Sequence, residues 1–591
     1  MTRRLLWLVL LVLHCPTAFA LQVPDAHSET QLPAAPALQA PVSKEAATAA
    51  PEGGTGRYAL SAARAQQAMA VTANPHATEA ALEMLRLGGG AIDAAIAAQA
   101  VLGLVEPQSS GFGGGAFLVY HDGKDTLSYD GRETAPASAT PDRFLDAQGQ
   151  ALGFHQAIAS GRGMGVPGVV AALAKAHLQH GRLQWRTLFT PAIRLARAGF
   201  PVSPRLHALI ARDPLLRTEP SARRYFFNAE GEPWPVGHLL RNPDYADTLE
   251  HLARRGVRGF YNSAATRKLI ATLNAEGADF TAADWRDYRA HVTPALCAPY
   301  RQWTVCSAPP PSGGWTVLQT LRLLDGFPVG TDRALLLHRL LEAERLAFAD
   351  RQRYSADPAF VPVPLTALLH DEYLNLRRAL ITDASMDRAE AGTPPGVELS
   401  WAMDPQLMEH GTTHLVIADR HGQWLSMTSS IEDAFGSRVM AGGMLFNNQL
   451  TDFSFMPGEN GRPVANRVGA GKRPRSAMAP VIVLDRDKRP VLALGSPGGS
   501  RIIGYVLRAL VASLDENLPP AQAVAAPLVL SRNGPTEVDR DFPADLRAAL
   551  VARGHEIVDA DLNSGIALIR RGADSHDGAA DPRREGRAAG F

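Results

Sequence analysis

The chain has 591 residues, 46% hydrophobic and 20% charged, the balance of a soluble globular protein. Its 59 Lys and Arg offset 59 Asp and Glu, so net charge gives no case for nucleic acid or an anionic membrane surface as a partner. A small neutral or zwitterionic substrate suits that balance.

Arg3 and Arg4 precede an apolar run from Leu5 to Leu13, and Ala18-Phe19-Ala20 then places small residues where a signal peptidase reads. This pattern predicts a secretory signal peptide over residues 1–20 and an exported protein, periplasmic or secreted. The run is far shorter than the ~20 residues of a spanning helix, and no later segment reads as one. Residues 21–56 are rich in Ala, Pro, Ser and Thr without an apolar period, which reads as a flexible linker.

Beyond the linker, long helices alternate with hairpins. The spacing predicts helices over His76–Leu87 and Ala91–Val105, separated by Gly88-Gly89-Gly90. Strands Ala116–Tyr120 and Thr126–Tyr129 flank an Asp122-Gly123 turn. Cys297 and Cys306 remain once the signal is removed. They pair if the compartment is oxidising, or stay as two separate buried thiols. Neither has a second Cys or a His at metal-ligand spacing, so neither a zinc site nor another cofactor is expected. A long amphipathic helix follows over Leu335–Tyr354. Thr413–Asp419 and Gln423–Ser430 form a second hairpin around Arg420-His421-Gly422, and Pro480–Leu484 with Val491–Leu494 a third. An apolar helix runs from Ile502 to Leu514. From about Gly572 the chain turns polar and Gly/Ala-rich, and reads as a tail that hugs the surface or is disordered. Hairpins imply antiparallel sheets whose apolar faces need helices over them, hence a layered α/β sandwich.

The chemistry centres on His410-Gly411-Thr412-Thr413-His414. A Thr hydroxyl is a poor nucleophile until a base takes its proton. A break between Gly411 and Thr412 would supply that base as the Thr412 α-amine, whose ordinary pKa is near ~8. Gly411, without a side chain, would let the scissile peptide take strained angles. Taken alone, the triplet also fits the plain start of a β-branched strand. If the hairpin closes around His421, residue 413 pairs with 429 and 419 with 423, placing Ser430 across from Thr412, within reach of its amine or hydroxyl. Gly495-Ser496-Pro497-Gly498-Gly499-Ser500-Arg501 follows a strand and opens a helix. Its unpaired N–H groups suit an oxyanion. A phosphate loop or a plain turn are the other readings, and the Gly-Lys-Ser/Thr ending of a phosphate loop is missing.

These pieces, with Gly88–Ala95, Glu106–Gly115, Asp130-Gly131-Arg132-Glu133-Thr134-Ala135-Pro136, Pro309–Gly314, Asn447-Asn448-Gln449, Lys472-Arg473-Pro474 and Pro497-Gly498-Gly499, resemble the γ-glutamyltransferases, self-processing N-terminal nucleophile hydrolases. The resemblance runs from about Ala70 to the C-terminal region. It implies a four-layer αββα sandwich cut into a large subunit (21–411, its folded body 57–411) and a small one (412–591), which form a heterodimer. It implies that Thr412 is both the processing residue and the nucleophile, with Ser430 supplying a second hydroxyl and Gly498 and Gly499 the oxyanion hole. Arg132, helped by Ser476, would clamp the substrate α-carboxylate, and Gln449 and Asp452 its α-ammonium.

The expected activity is transfer of a γ-glutamyl group from glutathione-like donors to water or an amine. A glutaryl- or cephalosporin-type acylase, and an unprocessed pseudoenzyme or binding protein, are the alternatives. Departures from the family pattern are Ser430 in place of Thr, Glu432 in place of Asn at a substrate-facing position, and Ala477 in place of a second Ser. The loop Phe453–Gly471 is short and lacks Tyr, which predicts a more open site.

Overall fold

The computed structural model describes residues 38–40, 54–398, 400–404 and 411–591. The signal peptide, most of the linker and His410 lie outside the described residues. Fourteen strands make two seven-stranded sheets, every neighbouring pair antiparallel. In chain order they are β1 (Ser61–Ala65), β2 (Met69–Thr72), β3 (Gly115–His121), β4 (Thr126–Gly131), β5 (His291–Pro294), β6 (Leu296–Tyr300), β7 (Trp303–Ser307), β8 (Thr413–Ala418), β9 (Trp424–Ser430), β10 (Val481–Leu484), β11 (Pro490–Gly495), β12 (Ala567–Arg571), β13 (His576–Ala580) and β14 (Arg587–Gly590). One sheet has the order β14-β2-β8-β9-β3-β4-β5, the other β6-β7-β10-β11-β12-β13-β1.

The period-two pattern of these strands explains the layering. In β8, Leu415 and Ile417 face one core while Val416 and Ala418 face another; β3 splits the same way, Leu118 and Tyr120 against Phe117 and Val119. The first core lies under helices α1 (Pro75–Arg86) and α2 (Ala91–Val105). The second fills the space between the sheets and continues to α3 (Gly314–Leu324), α4 (Arg333–Tyr354) and α5 (Ile502–Leu514). The result is helices, sheet, sheet, helices, as the pattern of hairpins implied. Among the described residues no helix is long and apolar enough to cross a membrane.

The β8–β9 hairpin has the expected register, with Thr413 opposite Ser429 and Ala418 opposite Trp424. Cys297 and Cys306 sit directly opposite each other on β6 and β7 and are joined by a disulfide. One expectation fails at the C-terminal end. The last residues are no surface tail: β13 pairs with β12 and β1, and β14 pairs with β2 as an edge strand, so both belong to the central sheets. Their small, polar residues carry little apolar pattern, but small is what this place requires, since a Cβ at Gly578 would sit 2.9 Å from the Met69 sulfur. At the other end, only residues 38–40 and 54–56 of the linker are described. Residues 38–40 pair with Arg57–Tyr58, and the Gly54 N–H donates to Asp561 at 2.7 Å.

Candidate active site

Thr412 stands at the head of β8, in the middle of its sheet, and is 2% exposed. The chain is continuous from Gly411, and the Thr412 hydroxyl donates to the Gly411 carbonyl oxygen. Ser430, at the end of β9, donates to the same oxygen at 2.6 Å. The Glu432 N–H donates to Ser430 Oγ at 2.8 Å. Because that N–H can only donate, the single Ser430 proton is directed at the Gly411 carbonyl. The partner of the Ser430 hydroxyl proton is therefore the Gly411 carbonyl oxygen. Two hydroxyls, those of Thr412 and Ser430, thus polarise one carbonyl, an arrangement that favours attack on its carbon.

Gly411 is required here by close approach: a Cβ would lie 2.3 Å from the Glu432 carbonyl oxygen. Glu432 itself has a left-handed backbone, φ 80°, which turns the chain back over the junction. Its carboxylate accepts from Asn448 Nδ2 at 2.6 Å, and Asn448 Oδ1 accepts from the Asp433 N–H at 3.0 Å. Asn448 thus stitches the turn after β9 to the segment carrying Gln449 and Asp452. The sequence signal for it was the Asn447-Asn448-Gln449 run, from which only Gln449 drew a role.

Arg132 follows β4 and is fully buried. Its guanidinium meets Asp452 Oδ2 at 2.5 Å and donates to the carbonyls of Pro474 at 3.1 Å and Arg475 at 2.5 Å. Gln449 Nε2 also donates to Asp452 Oδ2, at 2.7 Å. Gln449 Oε1 is buried and has no hydrogen-bond partner among the described residues. Arg132, Gln449 and Asp452 therefore come together as expected. Ser476 lies just beyond the carbonyls that hold Arg132, with its hydroxyl accepting from the Met478 N–H at 3.1 Å.

Glu133, next to Arg132, was not assigned a role from sequence. It is wholly buried, neither carboxyl oxygen has a hydrogen-bond partner among the described residues, and Arg132 Nη1 stands 3.7 Å away. Burial, opposed by the Arg132 charge, pushes its pKa up to about 8, so it is largely protonated at neutral pH.

The glycine loop after β11 has two left-handed residues in succession, Gly498 (φ 127°) and Gly499 (φ 60°), before the turn that opens α5. A Cβ at Gly498 would lie 2.5 Å from the Tyr505 ring, so backbone conformation and packing both demand glycine. Between the sheets, His414 bonds Thr428 Oγ1 at 2.9 Å, and burial drives its pKa down to about 3. It is a neutral core group in the space facing β11, where a Cβ at Gly495 would meet its ring at 2.2 Å.

The expected open site is not what the loop after Asp452 forms. Asn466 from that loop donates to the Asp452 carbonyl at 2.7 Å, Phe455 stacks on Phe144 at 4.5 Å, and Asp452 is only 4% exposed. One cluster elsewhere has ligand types for a metal: His338, Glu342 and His555. It is closed by its own bonds. Arg345 can only donate to His555 Nδ1 (3.5 Å), so His555 Nε2–H donates to His338 Nδ1 (2.8 Å) and His338 Nε2–H to the Thr382 carbonyl (2.8 Å). A cation there would face the Arg345 guanidinium.

Comparison with known proteins agrees with this architecture. Residues 77–591 match the family described as gamma-glutamyltranspeptidase. The chain belongs to that family. It is 36% identical over 545 residues to the glutathione hydrolase proenzyme of Bacillus subtilis strain 168, covering 88% of this chain and 91% of the relative. It is 33% identical over 537 residues to the glutathione hydrolase proenzyme of Escherichia coli K12, with 88% and 91% covered. The crystal structure of a cephalosporin acylase from Bacillus halodurans superposes with a TM-score of 0.79 at 28% identity, covering 90% of this chain and 97% of that one. Membership makes the chain an enzyme of the N-terminal nucleophile hydrolase fold, a hydrolase and transferase.

Proposed function

We propose that the protein is an exported γ-glutamyltransferase and glutathione hydrolase that cuts itself between Gly411 and Thr412. In the processing step the Thr412 hydroxyl adds to the Gly411 carbonyl carbon, the peptide C–N bond breaks, and the amine leaves with a proton. Water then hydrolyses the Gly411 ester, leaving a free Thr412 α-amine and a Gly411 carboxyl group. In turnover that amine takes the hydroxyl proton as Thr412 Oγ attacks the γ-glutamyl carbonyl, and the proton passes to the departing amine. Gly498 and Gly499 offer N–H groups to the oxyanion. Water, or an amino acid or peptide amine, resolves the glutamyl ester. The large and small subunits remain together as a heterodimer, and the signal peptide over residues 1–20 directs the precursor out of the cytoplasm.

The observation that carries the substrate assignment is the buried Arg132–Asp452–Gln449 cluster. A guanidinium and a carboxylate side by side match the α-carboxylate and α-ammonium of a glutamyl donor, and Gln449 Oε1 adds an acceptor for the ammonium. With no substrate present the two charges neutralise each other, so a zwitterion exchanges one ion pair for two. A glutaryl-type substrate has no cation to offer Asp452, and binding it would strand a buried carboxylate.

The test compares γ-glutamyl and glutaryl anilides, with and without a dipeptide acceptor, together with N-terminal sequencing of the purified protein. The expected result is a chain starting at Thr412 and turnover of the glutamyl compound. A preference for glutaryl would establish the acylase reading. A single full-length band without activity would leave a binding protein, and Thr412→Ala is expected to abolish the split.

A further inference from the structure

We propose that Arg584 is a positioning residue for Thr412: its guanidinium holds the Thr412 carbonyl and, after cleavage, keeps the new α-amine in its neutral, proton-accepting form. This rests on the reading of Thr412 as an N-terminal nucleophile. Arg584 comes from the turn between β13 and β14, in the stretch that looked like a surface tail, yet it is only 2% exposed. Nη1 donates to the Thr412 carbonyl oxygen at 3.3 Å and Nη2 to the Asn563 carbonyl at 3.1 Å. A Cβ on Gly565 would lie 2.6 Å from Arg584 Cδ and 2.7 Å from Pro497 Cγ, so this arginine also lies beside the loop carrying Gly498 and Gly499. It ties the Thr412 carbonyl to the Asn563 carbonyl through one planar group that is always charged.

The charge has a consequence. A cation bonded to a residue's own carbonyl lies within about 6 Å of that residue's nitrogen, close enough to disfavour a second positive charge there. Among the described residues, the other charged groups near Thr412 in the chain or beside Arg584 have partners of their own. After β9, Glu432 takes the Asn448 amide and Asp433 pairs with Arg438 at 2.7 Å. Beside Arg584, Asp581 pairs with Arg583 at 3.2 Å and Glu585 accepts from the Arg205 N–H at 3.1 Å. On β8 itself His414 is neutral, and the 495–499 segment contains no titratable side chain. Arg584 is a charged side chain that bonds the Thr412 backbone directly. A free α-amine with a pKa near ~8 is about nine-tenths protonated at neutral pH. Lowering that value by about one unit makes roughly half of it available as base.

The experiment measures kcat/KM for a γ-glutamyl anilide from about pH 5 to 10 with wild type, Arg584→Lys and Arg584→Gln, each first checked for cleavage before Thr412. In Arg584→Gln, which can still donate to the carbonyl, the acid limb is expected to move up by about one pH unit, with about a tenfold loss below the limb. Arg584→Lys, which keeps the charge, is expected to hold the wild-type limb. An Arg584→Gln profile lowered equally at every pH, its limb unmoved, reduces Arg584 to a structural support and overturns the proposal. If Arg584→Gln fails to accumulate as cleaved enzyme, wild type decides alone: its limb is expected below ~7.7, the low end for free α-amines, and a limb at or above that value overturns the proposal. Wild type that is active but uncut, or that begins elsewhere than Thr412, fails the nucleophile reading instead, so the two failures are told apart.

Discussion

Ser430 has one proton and is held by one donor, and that fixes what it can do. The Glu432 N–H occupies its oxygen and the proton goes to the Gly411 carbonyl. Removing a donor of this kind from a developing oxyanion typically lowers a rate by about 10²-fold or more. Ser430→Ala is therefore expected to accumulate full-length precursor, with the split slowed by about that factor on a gel time course, while Ser430→Thr keeps its hydroxyl and cleaves. Glu133 gives a prediction about pH. Its folded pKa is raised to about 8 from 4.5, so between those values the folded state holds a proton that the unfolded state has released. The stability associated with it is present below the unfolded value and drains away as pH rises toward 8. Glu133→Gln removes that loss. Relative to wild type it is expected to gain roughly a few kcal/mol between about pH 4 and 8, read from denaturant midpoints across pH.

At the scale of elements, the β8–β9 hairpin is the device that brings the site together. Its one-to-one register from Thr413–Ser429 to Ala418–Trp424 delivers Ser430 to the junction, and a slip of one residue would turn every side chain to the other face. The β6–β7 hairpin is a different case, an edge pair of its sheet closed by Cys297–Cys306 across nine residues of sequence. A loop that short contributes about 2–3 kcal/mol in the chain-entropy account. Replacing both cysteines, Cys297→Ser with Cys306→Ala, is expected to lower stability by about that amount in denaturant unfolding and to leave cleavage before Thr412 intact, because the pair makes no bond to the site.

At the scale of the molecule, the junction at Gly411–Thr412 is not a boundary between domains. β8 and β9 lie between β2 on one side and β3 on the other, and β10 to β13 lie between β7 and β1. Residues before and after the junction alternate within both sheets and share both large cores. Breaking one peptide leaves those ladders whole. The cleaved protein is expected to elute as one species of unchanged size under native conditions and to separate into two chains only in detergent; early dissociation in native chromatography would contradict the interleaved fold.

Much of this was readable from residue order alone. Alternation in β3 and β4 predicted strands, turn residues at Asp122-Gly123 and Arg420-His421-Gly422 predicted the hairpins, and glycine runs before apolar stretches marked the starts of α2 and α5. Those signals are local, so sequence carries them. The motif residues Thr412, Arg132, Gln449 and Asp452 were identifiable for the same reason, each within a short distinctive run. Sequence did not show that Arg132 and Asp452, 320 residues apart, neutralise each other, that Glu133 is wholly buried beside Arg132, or that Arg584 reaches from a polar stretch to the Thr412 carbonyl. Those facts depend on burial and on contacts between distant segments. A side chain's charge state and partner are set by what the fold packs around it, which no local pattern records.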